Sequence, residues 1–301
     1  MRIIRKFKGG LLVILAAFLL LTGCQAHHVH HYAGINVVSS VNFYGNAAQA
    51  VLGRYGHVTS LINNSSLDPH DFNPVAYDAE AVSNADVVID SGLGYDSWMT
   101  SLVRDAPHAQ QIEIGEQLLH KHKSDNPHIW YQAQTMPKLV EALANRFSRL
   151  DPRERSFFQR RARRYVRSLQ PLAKEISYVR SHRRQRSVDV SEPVFNYSLR
   201  EMGYRVHDPS YAKAVEDGAD PSPEAIRGVQ NDIKHRRIAF FVQNSQASDA
   251  IVNNLVKLAH RYRIPVVRVT ETMPDHIDYQ TWLMREYREV IQAQKARRAL
   301  L

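Results

Sequence analysis

The chain has 301 residues, of which 44% are hydrophobic and 23% are charged, and its formal net charge at pH 7 is +9. These fractions are in the ordinary range for globular proteins and indicate a folded, water-soluble body. The single cysteine excludes a disulfide framework. That thiol therefore needs another role if the protein is exported.

The N-terminal segment has the three parts of an export signal. Four cations begin it, an apolar run follows, and the run ends in small residues before Cys24. The run is too short to span a bilayer comfortably. The tetrapeptide LTGC resembles the lipobox of bacterial lipoproteins, in which the cysteine becomes the first mature residue and carries lipid. We therefore predict an extracytoplasmic protein that is lipid-anchored to a bacterial cell membrane through Cys24. An uncleaved N-terminal anchor is the alternative.

Much of the positive charge lies between residues 153 and 186, in RERSFFQRRARRYVRSLQ and RSHRRQR. A basic run of this kind occurs in proteins that bind nucleic acid. On an exported and lipid-anchored protein, a solvated helix face near anionic lipid or cell wall explains the same charge. We predict no nucleic-acid partner.

From Gly34 onward, short β-branched runs alternate with longer segments of helical periodicity. In the first half the predicted strands are INVVSSV, HVTSLI, DVVIDSG and QQIEIG. Predicted helices lie between these strands, and the last helix of this half is QTMPKLVEALANRFSRL. From Pro152 to about His182 no strand interrupts the helical spacing, which predicts one long helix that Pro171 kinks. Four more strands follow, SVDVS, YRVHD, IAFFVQN and PVVRVT, with helices VFNYSLREMG, SPEAIRGVQNDIKHR and DAIVNNLVKLAHRY and a closing helix from Tyr279.

This order predicts an α/β fold, with two lobes of mostly parallel sheet joined by one long backbone helix. The predicted organisation has five parts: a signal peptide at 1–23, a lipidated tether with four histidines at 24–33, an N-terminal lobe at 34–151, the linking helix at 152–183 and a C-terminal lobe at 184–301.

Four metal-competent side chains follow predicted strands: His70, His128, Glu192 and Glu271. In open parallel sheets, ligands bind beyond the carboxyl ends of the strands. Each lobe supplies two of the four, so we expect them to meet across a cleft. Taken singly, each has a plainer explanation. A loop histidine is usually solvated, and a glutamate at a helix start is favoured by the helix dipole. Their shared position at strand ends favours a metal site.

The motifs LDPHDFNP and DNPHIWY resemble the two histidine motifs of the cluster A-I solute-binding proteins, the lipoproteins that supply zinc or manganese to ABC importers. SEPVFNYSLREMGY, DPSPEAI, FFVQNSQ and VTETMP resemble that family in the same order, especially a branch with a TETMP-type segment. The resemblance covers the chain from Gly34 to about Val290. It implies two α/β lobes on a rigid backbone helix, a monomer, and an ABC permease as partner.

The resemblance also implies the ligand set. His70 and His128 match the two family histidines, and Glu192 matches a third ligand that is a carboxylate in many members. Glu271 stands where many members have an aspartate. Beside His70, the carboxylate of Asp68 or Asp71 is a candidate to accept the second ring proton and orient the imidazole. The long histidine-rich insertion of many zinc-specific members is absent from the sequence.

Two imidazoles and two carboxylates supply nitrogen and oxygen, which permits zinc or manganese and excludes a thiolate site. The oxygen content favours manganese, whereas the histidine-rich tether favours zinc, so both ions remain open as the transported ligand.

Two other functions compete with metal capture. A secreted metal-dependent hydrolase needs an open coordination position and a general base, but the chain has neither an H-E-x-x-H nor a G-x-S-x-G segment. We therefore predict that the protein is not an enzyme. An adhesin-like lipoprotein that binds anionic polymers through Arg160, Arg161, Arg163 and Arg164 would coexist with metal binding.

Overall fold

A computed structural model describes residues 34–65, 69, 72–246 and 249–298. The predicted signal peptide, Cys24 and the tether lie outside these ranges, as do Asp68, His70 and Asp71. Within them, the chain forms two four-stranded sheets in which every strand pair is parallel. No helix in this described part is both long enough and apolar enough to cross a bilayer.

The first lobe confirms the predicted alternation. Its strands are β1 (Ile35–Val41), β2 (Gly56–Ile62), β3 (Val87–Asp90) and β4 (Gln110–Glu113), and its helices are α1 (Asn42–Leu52), α2 (Ala76–Ser83), α3 (Met99–Arg104) and α4 (Thr135–Leu150). The strand order is β2-β1-β3-β4. Strand β3 is buried at every position, as expected for a strand with neighbours on both sides and cover on both faces.

The linking segment is helical but interrupted. It forms α5 (Arg155–Ser168) and α6 (Gln170–His182), with a break at Leu169. Pro171 has no N–H to bond back to the carbonyl of Arg167, so the chain forms two helices where the sequence predicted one long helix kinked at Pro171.

The second lobe repeats the same strand order, β6-β5-β7-β8. Its strands are β5 (Ser187–Val190), β6 (Arg205–Val206), β7 (Phe241–Asn244) and β8 (Val266–Val269). The helices of this half are α7 (Asn196–Glu201), α8 (Pro209–Glu216), α9 (Pro223–Lys234), α10 (Ala250–Arg261) and α11 (Tyr279–Arg298). The halves therefore share an architecture, although they share no residue motif.

Helix α8 was not predicted from the sequence, because it is only eight residues long and lies in the stretch between strand YRVHD and helix SPEAIRGVQNDIKHR. Its start nevertheless has a clear signal. The Asp208 side chain accepts a hydrogen bond from the Ser210 N–H at 3.2 Å, and Pro209 occupies the first helical turn. Its end lies just before Gly218, whose φ of +67° suits a residue without a side chain.

The two linking helices contact different halves of the molecule. Helix α5 packs on α1 and α4 of the first lobe, whereas α6 packs on α11. Helices α5 and α6 together therefore connect the first lobe to α11 of the second lobe.

Most of the basic residues on α5 face solvent. Arg160, Arg163 and Arg164 are exposed, and the apolar face of the helix is buried at Phe158 and Ala162. Arg161 differs from its neighbours, because its Nε donates to the carbonyl of Ala50 on α1 at 2.5 Å. The arginine run is thus mainly a solvated helix face, with one member that ties α5 to the first lobe.

Each lobe has a smaller apolar cluster of its own, and the largest apolar core cluster runs through both lobes. At its centre Phe43 lies 4.9 Å from Trp130 and 5.6 Å from Trp282, measured between ring centroids. Tyr131 lies 5.5 Å from the same Trp282. Large aromatic side chains of this kind dominate packing energy, so the lobes are held together by a hydrophobic interface beneath the loops that follow their strands.

Candidate metal site

His128 lies where the two lobes meet, at what we call the cleft, with a fully buried side chain. Its Nδ1 and its backbone N–H both lie within hydrogen-bonding distance of Asn126 Oδ1, at 2.8 and 2.9 Å. The amide group of Asn126 is oriented by its other partner, because its Nδ2 donates to the carbonyl of Pro193 at 2.7 Å. Oδ1 therefore faces the ring, Nδ1 carries the proton, and Nε2 is the nitrogen that presents a lone pair to the cleft.

Two carboxylates of the second lobe approach that Nε2. Glu216 Oε1 lies 3.7 Å away and Glu271 Oε1 lies 3.9 Å away, and their side chains are only 15% and 12% exposed. Tyr95 donates its hydroxyl to Glu271 Oε1 at 3.0 Å. Burial and the negative charge of Glu271 raise the pKa of Tyr95 well above its ordinary value. The phenol therefore stays protonated and holds the carboxylate in place.

Glu192 follows β5 and precedes a short 3₁₀ turn at Pro193–Phe195. Asn244, at the end of β7, donates its Nδ2 to Glu192 Oε2 at 2.6 Å. The hydroxyl of Tyr211, on α8, has a raised pKa, mainly through burial and also through the charges of Asp249 and Glu192. Glu192 thus lies between the end of β7 and α8.

The loop that carries His70 is anchored at the residues around it. Trp98 donates its Nε1 to the carbonyl of Pro69 at 3.3 Å, and Phe72 packs on Trp98 with 4.6 Å between ring centroids. The other end of the loop contacts the second lobe, because Gln246 donates to the carbonyl of Ser65 at 2.6 Å. Ser65, Pro69 and Phe72 thus have partners in one or the other lobe.

The structure therefore brings His128 and Glu271 together, as the sequence predicted. It also places Glu216 beside His128, which the sequence did not predict. Glu192 remains a predicted ligand that is anchored nearby, and His70 lies outside the described residues together with Asp68 and Asp71. Glu216 was missed because α8 was missed. The helix-start signal Asp-Pro-Ser would have placed Glu216 at the far end of a short helix that leaves the strand ends.

A second cluster of metal-competent side chains lies in the same lobe. Asp189, His207 and Asp232 each offer an atom within 4.8 Å of the others. His207 Nδ1 is hydrogen-bonded to Asp232, which raises the pKa of His207, and Arg237 lies 3.7 Å from Asp232. Burial raises the pKa of Asp189 to about 7. The carboxylate of Asp232 thus already has an imidazole and a guanidinium as partners.

Two parallel α/β lobes on a common core, with an imidazole and carboxylates meeting at their strand ends, define the class of metal-binding solute-binding proteins. Solved structures share this fold. A manganese-bound mutant of a periplasmic metal-binding protein from Candidatus Liberibacter asiaticus superposes with a TM-score of 0.71 at 18% identity, over 86% of this chain and 98% of its own. FpvC from Pseudomonas aeruginosa, in complex with Ni²⁺, gives 0.70 at 19% identity, over 87% and 97%.

The sequence comparison identifies the family. The family described as zinc-uptake complex component A, periplasmic, matches residues 37–293, and the chain belongs to it. The manganese-binding lipoprotein MntA of Halalkalibacterium halodurans is 27% identical over 64% of this chain and 67% of its own length. MntA of Bacillus subtilis is 24% identical over 83% and 84%. The zinc-binding lipoprotein AdcA of Streptococcus pneumoniae is 24% identical over 75% of this chain and 48% of its own.

Proposed function

We propose that the protein is an extracytoplasmic lipoprotein that captures manganese or zinc between its lobes and delivers the ion to an ABC-type permease. The observation that carries the proposal is the buried Nε2 of His128, which lies 3.7 and 3.9 Å from two carboxylates of the opposite lobe. Membership in the zinc-uptake family and the similarity to manganese- and zinc-binding lipoproteins support it.

The proposed ligands are His70, His128, Glu192 and Glu271. Two come from each lobe, so the ion would join the halves that already share a core. Imidazole nitrogen and carboxylate oxygen suit zinc, and also manganese when a carboxylate binds through both oxygens. Four protein ligands leave no dedicated open position for a reacting water, which argues for capture and release rather than for hydrolysis.

The membrane attachment is part of the same proposal. We infer that residues 1–23 are removed, that Cys24 carries the lipid, and that residues 24–33 tether the body, which divides into 34–151, 152–183 and 184–301. Acyl chains contribute about 0.8 kcal/mol per buried methylene, so several chains on one cysteine hold a protein to a bilayer. The body acts as a monomer beside its permease. The mass of the mature N-terminal peptide tests the lipid attachment.

Titration of the metal-stripped protein tests the site. We expect His128→Ala and His70→Ala each to weaken Mn²⁺ and Zn²⁺ binding by at least about 100-fold, because loss of a ligand exceeds the about 10–100-fold cost of losing an outer-shell partner. His108→Ala is the matched control, since His108 is exposed and outside the cleft, and its affinity should equal that of the wild type. Unchanged affinity in both cleft variants would remove the proposed site.

A further inference from the structure

Glu216 is the last residue of α8 and projects into the cleft. Its Oε1 lies 3.7 Å from the buried Nε2 of His128, which is closer than the 3.9 Å of Glu271. The side chain is only 15% exposed. A carboxylate in that position lies as near to the first lobe's histidine as the glutamate that the sequence singled out.

The position is one that a divalent cation would favour. A helix presents the negative end of its dipole at its C-terminus, where a carboxylate is disfavoured. Glu271 brings a second carboxylate to the same nitrogen, and the two negative charges repel each other. A divalent ion between these groups would offset the helix dipole and the repulsion together.

The neighbouring residue shows that the placement is specific. Asp217 follows Glu216 directly but turns to solvent, where both of its oxygens contact Lys213 Nζ at 2.6 and 2.7 Å. Its side chain is 51% exposed. Of two successive carboxylates, one forms an exposed ion pair and the other enters the cleft.

Helix α8 has little freedom to turn Glu216 elsewhere. Tyr211 is fully buried on its inner face, and the helix packs against β5 and against the 3₁₀ turn that follows Glu192. Asp208 caps its first turn. After Glu216 the chain reverses at once, because the Gly218 N–H bonds to the carbonyl of Val215 at 3.0 Å.

We propose that Glu216 is a further ligand of the transported ion and that it shifts the preference of the site toward manganese. This inference rests on the proposed function. Bonds of about 2.1 Å place two ligands of one ion roughly 3.0–3.5 Å apart, so a separation of 3.7 Å closes by a small side-chain adjustment. Zinc is satisfied by four ligands, whereas manganese takes more oxygen ligands, so an added carboxylate benefits manganese more.

The test compares Glu216→Gln with Asp217→Asn, which removes the adjacent charge outside the cleft. Both variants and the wild type are stripped of metal and titrated with Mn²⁺ and with Zn²⁺. We expect Glu216→Gln to weaken Mn²⁺ binding by about 10–100-fold and Zn²⁺ binding by less than about 3-fold, so that the affinity ratio changes by roughly 10-fold. Asp217→Asn should leave both affinities within about 2-fold of the wild type.

Thermal unfolding separates a ligand from a packing residue. Without metal, Glu216→Gln should unfold at no lower temperature than the wild type, because the amide removes a charge facing Glu271. With Mn²⁺ it should gain less stability than the wild type. Lower stability of the metal-free variant would instead indicate a structural role and overturn the inference.

His128→Ala in the same titration distinguishes the two levels of the proposal. If His128→Ala loses affinity while Glu216→Gln keeps the wild-type ratio, only the role of Glu216 fails. If His128→Ala and His70→Ala both bind the two ions as the wild type does, the metal site itself fails.

Discussion

Asn126 links the proposed ligand His128 to the opposite lobe. Its Oδ1 serves the imidazole Nδ1, its Nδ2 donates to Pro193, and its backbone carbonyl accepts the hydroxyl of Tyr197 at 2.8 Å. Pro193 directly follows the predicted ligand Glu192. One side chain therefore sets the tautomer of the histidine and also ties its loop to the loop of a ligand from the other lobe. Loss of such an outer-shell group typically lowers metal affinity by about 10–100-fold.

Two substitutions of Asn126 separate these roles. Asn126→Asp keeps an acceptor for His128 Nδ1 but replaces the donor facing the carbonyl of Pro193, whereas Asn126→Ala removes both interactions. We expect Asn126→Ala to weaken metal binding by about 10–100-fold. Asn126→Asp should retain more of the affinity and lose thermal stability, because a carboxylate then faces a carbonyl oxygen. Equal affinities in Asn126→Ala and the wild type, measured by metal titration, would contradict this.

At the scale of elements, α11 holds the end of β8 through one buried carboxyl group. Glu286 Oε1 accepts the N–H of Thr270 at 2.8 Å and the Nε1–H of Trp282 at 2.9 Å. The Tyr131 hydroxyl lies 2.5 Å from the carbonyl of Thr270 and 2.8 Å from Glu286 Oε2. The single phenolic proton serves one acceptor at a time, so the network is complete when Glu286 is itself protonated. Glu271 follows Thr270 directly.

Burial raises the pKa of Glu286 to about 8, well above the 4.5 of an exposed glutamate. Between these values the unfolded chain has lost a proton that the folded protein keeps, so this group's contribution to stability declines as pH rises from 4.5 to about 8. Glu286→Gln preserves the donor and removes the titration. We expect the unfolding free energy of the wild type, measured relative to Glu286→Gln at each pH, to fall across that window.

The same carboxyl group has a packing role that a second variant tests. Glu286→Ala leaves the Thr270 N–H and the Trp282 Nε1–H without this acceptor, so we expect a loss of about 2–4 kcal/mol in unfolding free energy at acidic pH, where the carboxyl group is protonated. Denaturant unfolding measures both variants. A wild type and a Glu286→Gln variant with parallel pH profiles would show that the group is ionised when folded.

At the scale of the molecule, the two lobes share a core and several direct hydrogen bonds. Asn42 donates to the carbonyl of Met273 at 3.2 Å, and Tyr279 donates to the carbonyl of Trp130 at 2.6 Å. Relative domain motion is the usual expectation unless the interface is large and hydrophobic. Here Phe43 packs on Trp130 of its own lobe and on Trp282 of the other lobe. This shared aromatic core holds the two lobes together, and their loops meet at the candidate site.

Small-angle scattering tests this bracing. We expect the radius of gyration of the metal-free and metal-loaded protein to differ by less than about 1 Å, as in partners that are already organised for binding. Metal release would then depend on movement of the cleft loops rather than on wide opening of a hinge. A larger contraction on adding Mn²⁺ or Zn²⁺ would show that the shared core does not restrain the lobes.

Much of the fold follows from local pattern. Period-two β-branched runs and helical runs predicted all eight strands of the described part and the helices that carry most of the core. The exceptions are local too: α8 is short and lies in a stretch to which the sequence analysis assigned no element, and the linking helix breaks at Leu169 because Pro171 removes a hydrogen bond. One short helix is added and one long helix is divided, while the order of the strands and the two-lobe architecture are unchanged.

The sequence by itself determined the α/β alternation and the placement of His128 and Glu271 in segments that follow strands, because these depend on residues close together in the chain. Only the tertiary structure decided that Glu216 and Glu271 approach the same nitrogen of His128, and that Asn126 and Glu286 support the site from both lobes. Those contacts depend on how two sheets are set against each other by their shared core. Side chains that are far apart in sequence meet only after that packing is complete.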